Sequence, residues 1–298
     1  NGGRPRRARG GIVAMGIIDV LRRPKFELGH LVLRDPKVKG PVRYDASSAD
    51  DVQRALEGTG LSVVPLRVNQ REYRDFVARA DYARFGSYYA WNRPSFAEKS
   101  LEHYLAAKLL ELREGSVHVD VASDTSPARE IYADVYGVTA YRQDLSFPAG
   151  VVGNRIGGDA AAMPVRDGFA DTMSLHCSFE HFEGDSDMRF IAECARVLRP
   201  GGRVCILPLY MSPRYSVMTD LGVVGWRSQP AFEEDATVYS AIGYGQRHGR
   251  FYDAAHLQSR VLGRLGALRA TIHRVTNLEE IGPACYVHFA LTLERPAA

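Results

Sequence analysis

Apolar and polar positions along this 298-residue chain switch repeatedly between two periods, one near 2 and one near 3.6. Residues 48–51 (Ser-Ala-Asp-Asp) supply a cap and an acidic first turn for a helix through Leu56, stopped by Gly58 and Gly60. Residues 61–68 read as a strand, and 70–85 as a helix with Phe76, Ala80 and Ala83 on one face. The spacing predicts a helix over 100–112, with Leu101, Leu105, Leu109 and Leu112 in one stripe, then a strand over 116–121. Ser126-Pro127 opens a further helix whose apolar face is Ile131 and Val135 and which Gly137 ends. Strands follow at 139–143, 155–158 and 172–175, then a helix at 187–198 with Met188, Ile191, Ala195 and Leu198 inward. Arg199-Pro200-Gly201-Gly202 stops that helix before a strand over 203–209. Pro148, Gly150 and Gly153 make 145–154 an irregular loop. A helix at 254–262 and strands at 270–275 and 286–293 close the chain.

Strands alternating with helices imply parallel βαβ units joined by right-handed crossovers. The expected fold is therefore α/β: a Rossmann-like, seven-stranded, mostly parallel sheet with an antiparallel edge hairpin, preceded by an N-terminal α/β extension. Three stretches stand apart. Residues 1–24 read as a basic tail, disordered or weakly helical; 25–95 form the extension, with its clearest early strand at Leu31-Val32-Leu33; 96–298 form the core. Within the core the regular pattern lapses over 210–252, which is rich in glycine and aromatics such as Tyr210, Trp226, Tyr244 and Phe251. With the aromatic, turn-rich entry segment 88–99, this stretch suits a lid or acceptor pocket as well as a plain hydrophobic cover. The extension itself carries no chemical motif and suits an interaction surface or a homodimer contact.

Charge narrows the partners. The formal net charge is +3, but Arg4, Arg6, Arg7 and Arg9 supply +4 of it, leaving the rest near −1. A body so near neutrality gives no electrostatic reason for nucleic acid as the main partner. No apolar run reaches the roughly 18 residues of a membrane span. Cys177, Cys194, Cys205 and Cys285 show no CxxC spacing, which favours a reduced, cytoplasmic compartment. The opening segment, arginine-rich and without an initiator Met, reads as upstream sequence or a fragment rather than a transit peptide.

Candidate chemistry gathers where strands end, because the carboxyl ends of parallel strands open onto the ligand crevice. Three apolar runs stop at Asp144, Asp159 and His176. An earlier strand ends in VHVDVASDTSP, placing Asp120 before a small-residue turn. His-x-x-x-Glu-His over 176–181 is not the HExxH of a zinc-protease helix, and no metal is expected.

From about Glu98 to Leu293 the chain resembles class I S-adenosylmethionine-dependent methyltransferases, of the type 11 kind, in VHVDVASDTSP, GDAAAMPVRDGFAD, SLHCSFEHF and Arg-Pro-Gly-Gly. The resemblance implies that S-adenosyl-L-methionine is held by Asp120, Ala122, Ser123, Asp124 and Ser126 at its methionine end. It assigns Asp144 to the ribose hydroxyls and Asp159 with Ala160 to the adenine. His176 would stand beside the transferring methyl, and His181 in the same neighbourhood. Glu180 and His181 also suit a structural link from the following helix to the sheet. The departure is the first motif, where Ala122, Asp124 and Ser126 replace the usual glycines. The implied activity is methyl transfer to a small-molecule or glycan acceptor. A non-catalytic binding or scaffold protein on the same fold is the alternative, supported by the missing glycines. A nicotinamide oxidoreductase is disfavoured, because ASDTSP has no glycine where G-x-G-x-x-G belongs.

Overall fold

The computed structural model describes residues 25, 37–86, 89, 93, 95–223, 230 and 232–297. The tail 1–24, the strand expected at 31–33, Trp226 and part of the 88–99 entry lie outside the described residues.

In chain order the strands are β1 (Lys37–Lys39), β2 (Val63–Leu66), β3 (Val117–Val121), β4 (Thr139–Asp144), β5 (Gly150–Val152), β6 (Arg155–Gly157), β7 (Ala170–His176), β8 (Leu198–Leu207), β9 (Ser216–Thr219), β10 (Thr237–Ser240), β11 (Gly249–Phe251), β12 (Arg269–Val275) and β13 (Phe289–Glu294). The helices are α1 (Ala46–Gly58), α2 (Gln70–Ala80), α3 (Phe96–Leu110), α4 (Ala128–Tyr136), α5 (Ser186–Val197) and α6 (Ala254–Arg260).

The main sheet has the order β2-β12-β13-β8-β7-β3-β4-β6-β5. Its seven inner strands are the Rossmann-like set expected from the sequence: β6, β4, β3, β7 and β8 run parallel, and β13 is antiparallel to both β8 and β12. Two strands widen it. β2, from the N-terminal extension, pairs in parallel with β12, so the β12–β13 pair is not the outer edge. β5 pairs antiparallel with β6 inside the stretch expected to be an irregular loop. Gly157 of β6 packs directly on that crossover: a Cβ there would overlap the Pro148 carbonyl oxygen.

Residues 210–252 hold more order than their sequence suggests. β9, β10 and β11 form a second sheet with β1, in the order β1-β10-β9-β11. These strands have only three or four residues each, too short for period-2 alternation to register.

Helices cover both faces of the main sheet. On one face α1, α5 and α6 bury Val52, Leu56, Phe190, Ile191, Val197 and Leu257 against β3, β7 and β8. On the other, α2, α3 and α4 bury Phe76, Leu101, Leu105, Ile131 and Tyr132. The cap of α1 is Asp45 rather than Ser48: Asp45 Oδ1 accepts from Ser48 N (2.8 Å) and Asp45 N donates to Ser48 Oγ (2.9 Å), a reciprocal capping box. Helix α3 also departs from its one-stripe expectation. It is buried nearly all round, including Glu98, Ser100, Glu102 and His103, because α2 packs over its outer side.

Candidate active site

The ends of β3, β4 and β7 open onto two joined pockets, as the parallel sheet requires. The larger, of about 920 Å³, reaches from the turn after β3 across to the second sheet. The smaller, of about 270 Å³, lies over the end of β4. Ala122, Leu145, His181 and Phe182 line both.

The turn after β3 explains how a glycine-poor motif keeps a glycine-type backbone. Ala122 and Asp124 both have positive φ, 49° and 41°. Such left-handed residues cost of order 1–3 kcal/mol unless their surroundings hold them. Here β4 does the holding. Gln143, buried at its end, accepts from Ala122 N through Oε1 (3.1 Å) and from Ser123 N through its carbonyl (3.0 Å), while Gln143 Nε2 donates to Gly158 O (2.6 Å). Asp144 Oδ2 accepts from Asp124 N (2.9 Å). Five non-glycine residues have positive φ among those described; Asp81 and Glu111 close helices, while Ala122, Asp124 and Cys177 all line the large cavity.

Asp120 sits behind this turn, 1% exposed, and does not itself line either pocket. Neither of its carboxylate oxygens, nor Ser123 Oγ, meets a partner in hydrogen-bonding geometry. Burial pushes the Asp120 pKa up to about 7, against the pull of Ser126 and Arg142. An orphaned buried carboxyl beside a strained turn fits a ligand that brings its own donors or positive charge, as the methionine end of S-adenosylmethionine would.

Asp144, Asp159 and Ala160 line the small pocket. Asp144 Oδ1 accepts from Ser146 N (2.8 Å), and since each carboxylate oxygen has two lone pairs, acceptor capacity remains for a ligand. Asp159 Oδ1 caps the 3₁₀ turn at Ala160–Ala162 through Ala161 N (2.9 Å), while Oδ2 meets Arg189 Nη1 (3.1 Å). Ala122, Ser123, Asp124, Ser126, His176 and His181 line the large cavity. Nine of the ten expected positions therefore meet at two connected pockets, with Asp120 directly behind.

The two histidines differ in their surroundings. His176 Nε2 faces Tyr132 OH (3.3 Å) and Ser174 Oγ (3.1 Å), and burial holds its pKa well below the usual value. It is a neutral ring in the cavity wall. His181 Nδ1 donates to the His248 carbonyl (2.5 Å), which leaves Nε2 toward Glu180 Oε1 at 3.6 Å. Glu180 is 5% exposed with Oε2 unpartnered, and burial raises its pKa.

Sequence reasoning missed the far side of the cavity. There Lys99 Nζ donates to Glu102 Oε1 (2.9 Å) and Cys177 Sγ (2.7 Å), and the Cys177 thiol donates to the same Glu102 oxygen (3.2 Å). Burial opposes the Lys99 charge, yet Glu102 and Cys177 more than offset it and raise its pKa. Tyr44, Tyr210, Phe251 and Tyr286 wall this end; Tyr210 packs 5.1 Å from both Tyr44 and Phe251, centroid to centroid. The available signal was the Glu-Lys-x-x-Glu-His run at 98–103, charged positions inside a helix otherwise built of Leu and Ala. Among the described residues no group of three or more metal-ligating side chains occurs, and no helix is long and apolar enough to cross a membrane.

Residues 120–206 match the family model for a methyltransferase domain. No curated protein matches the sequence. Among solved structures, the chain is similar to the 1,6-didemethyltoxoflavin-N1-methyltransferase of Burkholderia thailandensis, which carries 1,6-didemethyltoxoflavin and S-adenosylhomocysteine. That match has 15% identity, 80% of this chain and 94% of that chain covered, and a TM-score of 0.46. It is also similar to a protein of Pyrococcus horikoshii (16% identity, 77% and 100% covered, TM-score 0.42). A third is an S-adenosylmethionine-dependent methyltransferase of Methanosarcina mazei (10% identity, 63% and 95% covered, TM-score 0.41).

Proposed function

We propose that this chain, whose residues 120–206 form a methyltransferase domain, transfers a methyl group from S-adenosylmethionine to a small-molecule or glycan acceptor held in the large cavity. One observation carries the reading: the turn after β3 keeps the left-handed backbone of a glycine-rich motif at Ala122, which lines both pockets, and at Asp124, which lines the large one. The missing glycines thereby cease to favour a non-catalytic scaffold. The nucleoside would lie in the small pocket, with Asp144 accepting from the ribose hydroxyls and Asp159-Ala160 edging the adenine. The amino-acid end would lie along Ser123–Ser126, with Asp120 behind as the counter-charge.

When bound, the donor supplies an activated methyl on a sulfonium, so the protein has to align it with the acceptor and exclude water. The neutral His176 ring serves as wall and orienter. His181, its Nδ1 fixed by His248, offers Nε2 beside Glu180 as the place for an acceptor proton. The lack of pairing among Cys177, Cys194, Cys205 and Cys285 fits a reducing, cytoplasmic setting.

Titration calorimetry with S-adenosylhomocysteine tests the reading. Binding is expected, with Asp144→Ala weakening it about 10- to 100-fold, the scale of a lost charge-assisted hydrogen bond. Silence at millimolar S-adenosylhomocysteine and S-adenosylmethionine would sink it.

A further inference from the structure

The Lys99 corner has properties that the donor site does not explain. Lys99 has three ammonium protons; Glu102 Oε1 and Cys177 Sγ take two, the third has no hydrogen-bond acceptor among the described residues, and the ammonium lines the cavity 5.9 Å from the centroid of the Tyr286 ring. Glu102 is wholly buried and fixes Lys99 in place. Behind it, Glu98 is also fully buried; its Oε2 accepts from Tyr286 N (2.7 Å), while its Oε1 and Glu102 Oε2 have no other partner. Burial and the neighbouring Glu102 push the Glu98 carboxyl up. The corner is a fixed cation with one free donor, walled by the rings of Tyr44, Tyr210 and Tyr286.

We propose that Lys99 receives the acceptor oxygen, and that the acceptor is a planar conjugated hydroxyl compound of the phenol or enol class, methylated on that oxygen. The proposal rests on the methyltransferase reading above and names the substrate class of the same cavity.

The acceptor O–H gives its proton to the Glu180–His181 pair, the new C–O bond forms on the methyl, and the methyl–sulfur bond breaks with its electron pair left on sulfur. Before transfer the oxygen carries negative charge, which the free Lys99 N–H stabilises in a site shielded from water. A phenol suits these residues better than a sugar. Its hydroxyl has a pKa near 10, within reach of a carboxylate or imidazole once an ammonium lowers it, whereas an alcohol lies several units higher. The rings of Tyr44, Tyr210 and Tyr286 offer faces on which a planar conjugated acceptor can stack.

The test uses the full chain loaded with S-adenosylhomocysteine and 4-nitrophenol as the probe, whose ionisation is read by absorbance. Bound probe is expected to ionise at a pH at least one unit lower than free probe, a tenfold gain in the anion. Lys99→Met should abolish that shift while S-adenosylhomocysteine affinity stays within about twofold. Because Lys99→Met strands Glu102 as a buried charge, the double variant Lys99→Met/Glu102→Gln serves if the single one does not fold, with the same expected loss. An unshifted or unbound probe on protein that binds S-adenosylhomocysteine overturns the proposal alone. So does maltotriose binding the loaded protein in its place. Failure to bind S-adenosylhomocysteine overturns the methyltransferase reading first.

Discussion

Asp120 concentrates the trade between folding and function at the scale of one residue. A carboxyl with no hydrogen-bond partner is an unusual thing to bury, and its pKa of about 7 against an ordinary 3.8 records the cost. The sign is fixed by linkage. A raised folded-state pKa favours the folded protein below pH 3.8, and that contribution is lost as pH rises through 7. Asp120→Asn removes the loss, which builds up between pH 3.8 and about 7, so the variant should gain more thermal stability over the parent at pH 8 than at pH 5. It should also bind S-adenosylhomocysteine more weakly, and the affinity of the parent should rise between pH 6 and pH 8 as the carboxylate forms. Calorimetric scans and titrations at those pH values check both; an Asn variant no more stable at pH 8 than at pH 5, relative to the parent, contradicts the argument. The position of Asp120 at a strand end is legible in VHVDVASDTSP. Its isolation is not, because that depends on Gln143 and Asp144 arriving from β4 to satisfy the turn instead of the carboxyl.

Among elements, the second sheet needs a reason to stay on the core, and its own strands are too short to provide one. Arg250 on β11 gives it. This fully buried guanidinium donates to Phe182 O (2.7 Å), Gly184 O (3.0 Å) and Tyr215 OH (3.0 Å), lies 3.1 Å from Asp187 of α5, and meets Glu233 in a close ion pair. Asp187 is held in turn by Arg260 of α6 and by Tyr252 OH (2.7 Å). Such a network is worth little relative to an apolar replacement of all its members, but removing one member strands the others. Arg250→Met should therefore cost about 3–5 kcal/mol in urea unfolding. Arg54→Ala, which breaks an exposed pair with Asp51, should stay within about 0.5 kcal/mol. Equal effects would mean that the network does not clamp the sheet. Helix α5 buries Phe190, Cys194 and Val197 with Ile191 where Met188 and Ala195 were expected inward, and Arg199-Pro200-Gly201-Gly202, expected as a stop before the strand, lies within β8. As elements, helices α4 and α5 were nonetheless plain in the sequence. The second sheet was not, because its strands are short and its anchor is a single arginine whose partners lie up to 68 residues away.

For the whole molecule, the 25–95 extension is woven into the layers rather than attached to them. β1 completes the second sheet, β2 extends the main one, and Tyr44 lines the large cavity. Its apolar side chains divide between the two faces, with Val52 and Leu56 under one helical layer, and Val68, Phe76 and Tyr82 under the other. At about 1.5–3 kcal/mol for each large apolar side chain buried, those five contribute on the order of 10 kcal/mol. Whole domains of this kind carry a net stability of about 5–15 kcal/mol, so the contribution is not dispensable. The sequence marks the extension by its lack of chemical motifs and hides its integration, because pairing of β2 with β12 spans about two hundred residues. Residues 96–298 expressed alone should consequently fail to give a cooperative thermal transition and should expose apolar surface to a hydrophobic dye. The full chain should unfold in a single transition, seen alike by near-UV and far-UV circular dichroism. A truncated core that melts sharply and binds S-adenosylhomocysteine as the full chain does would show the extension to be an accessory. Two separated transitions in the full chain would show the same.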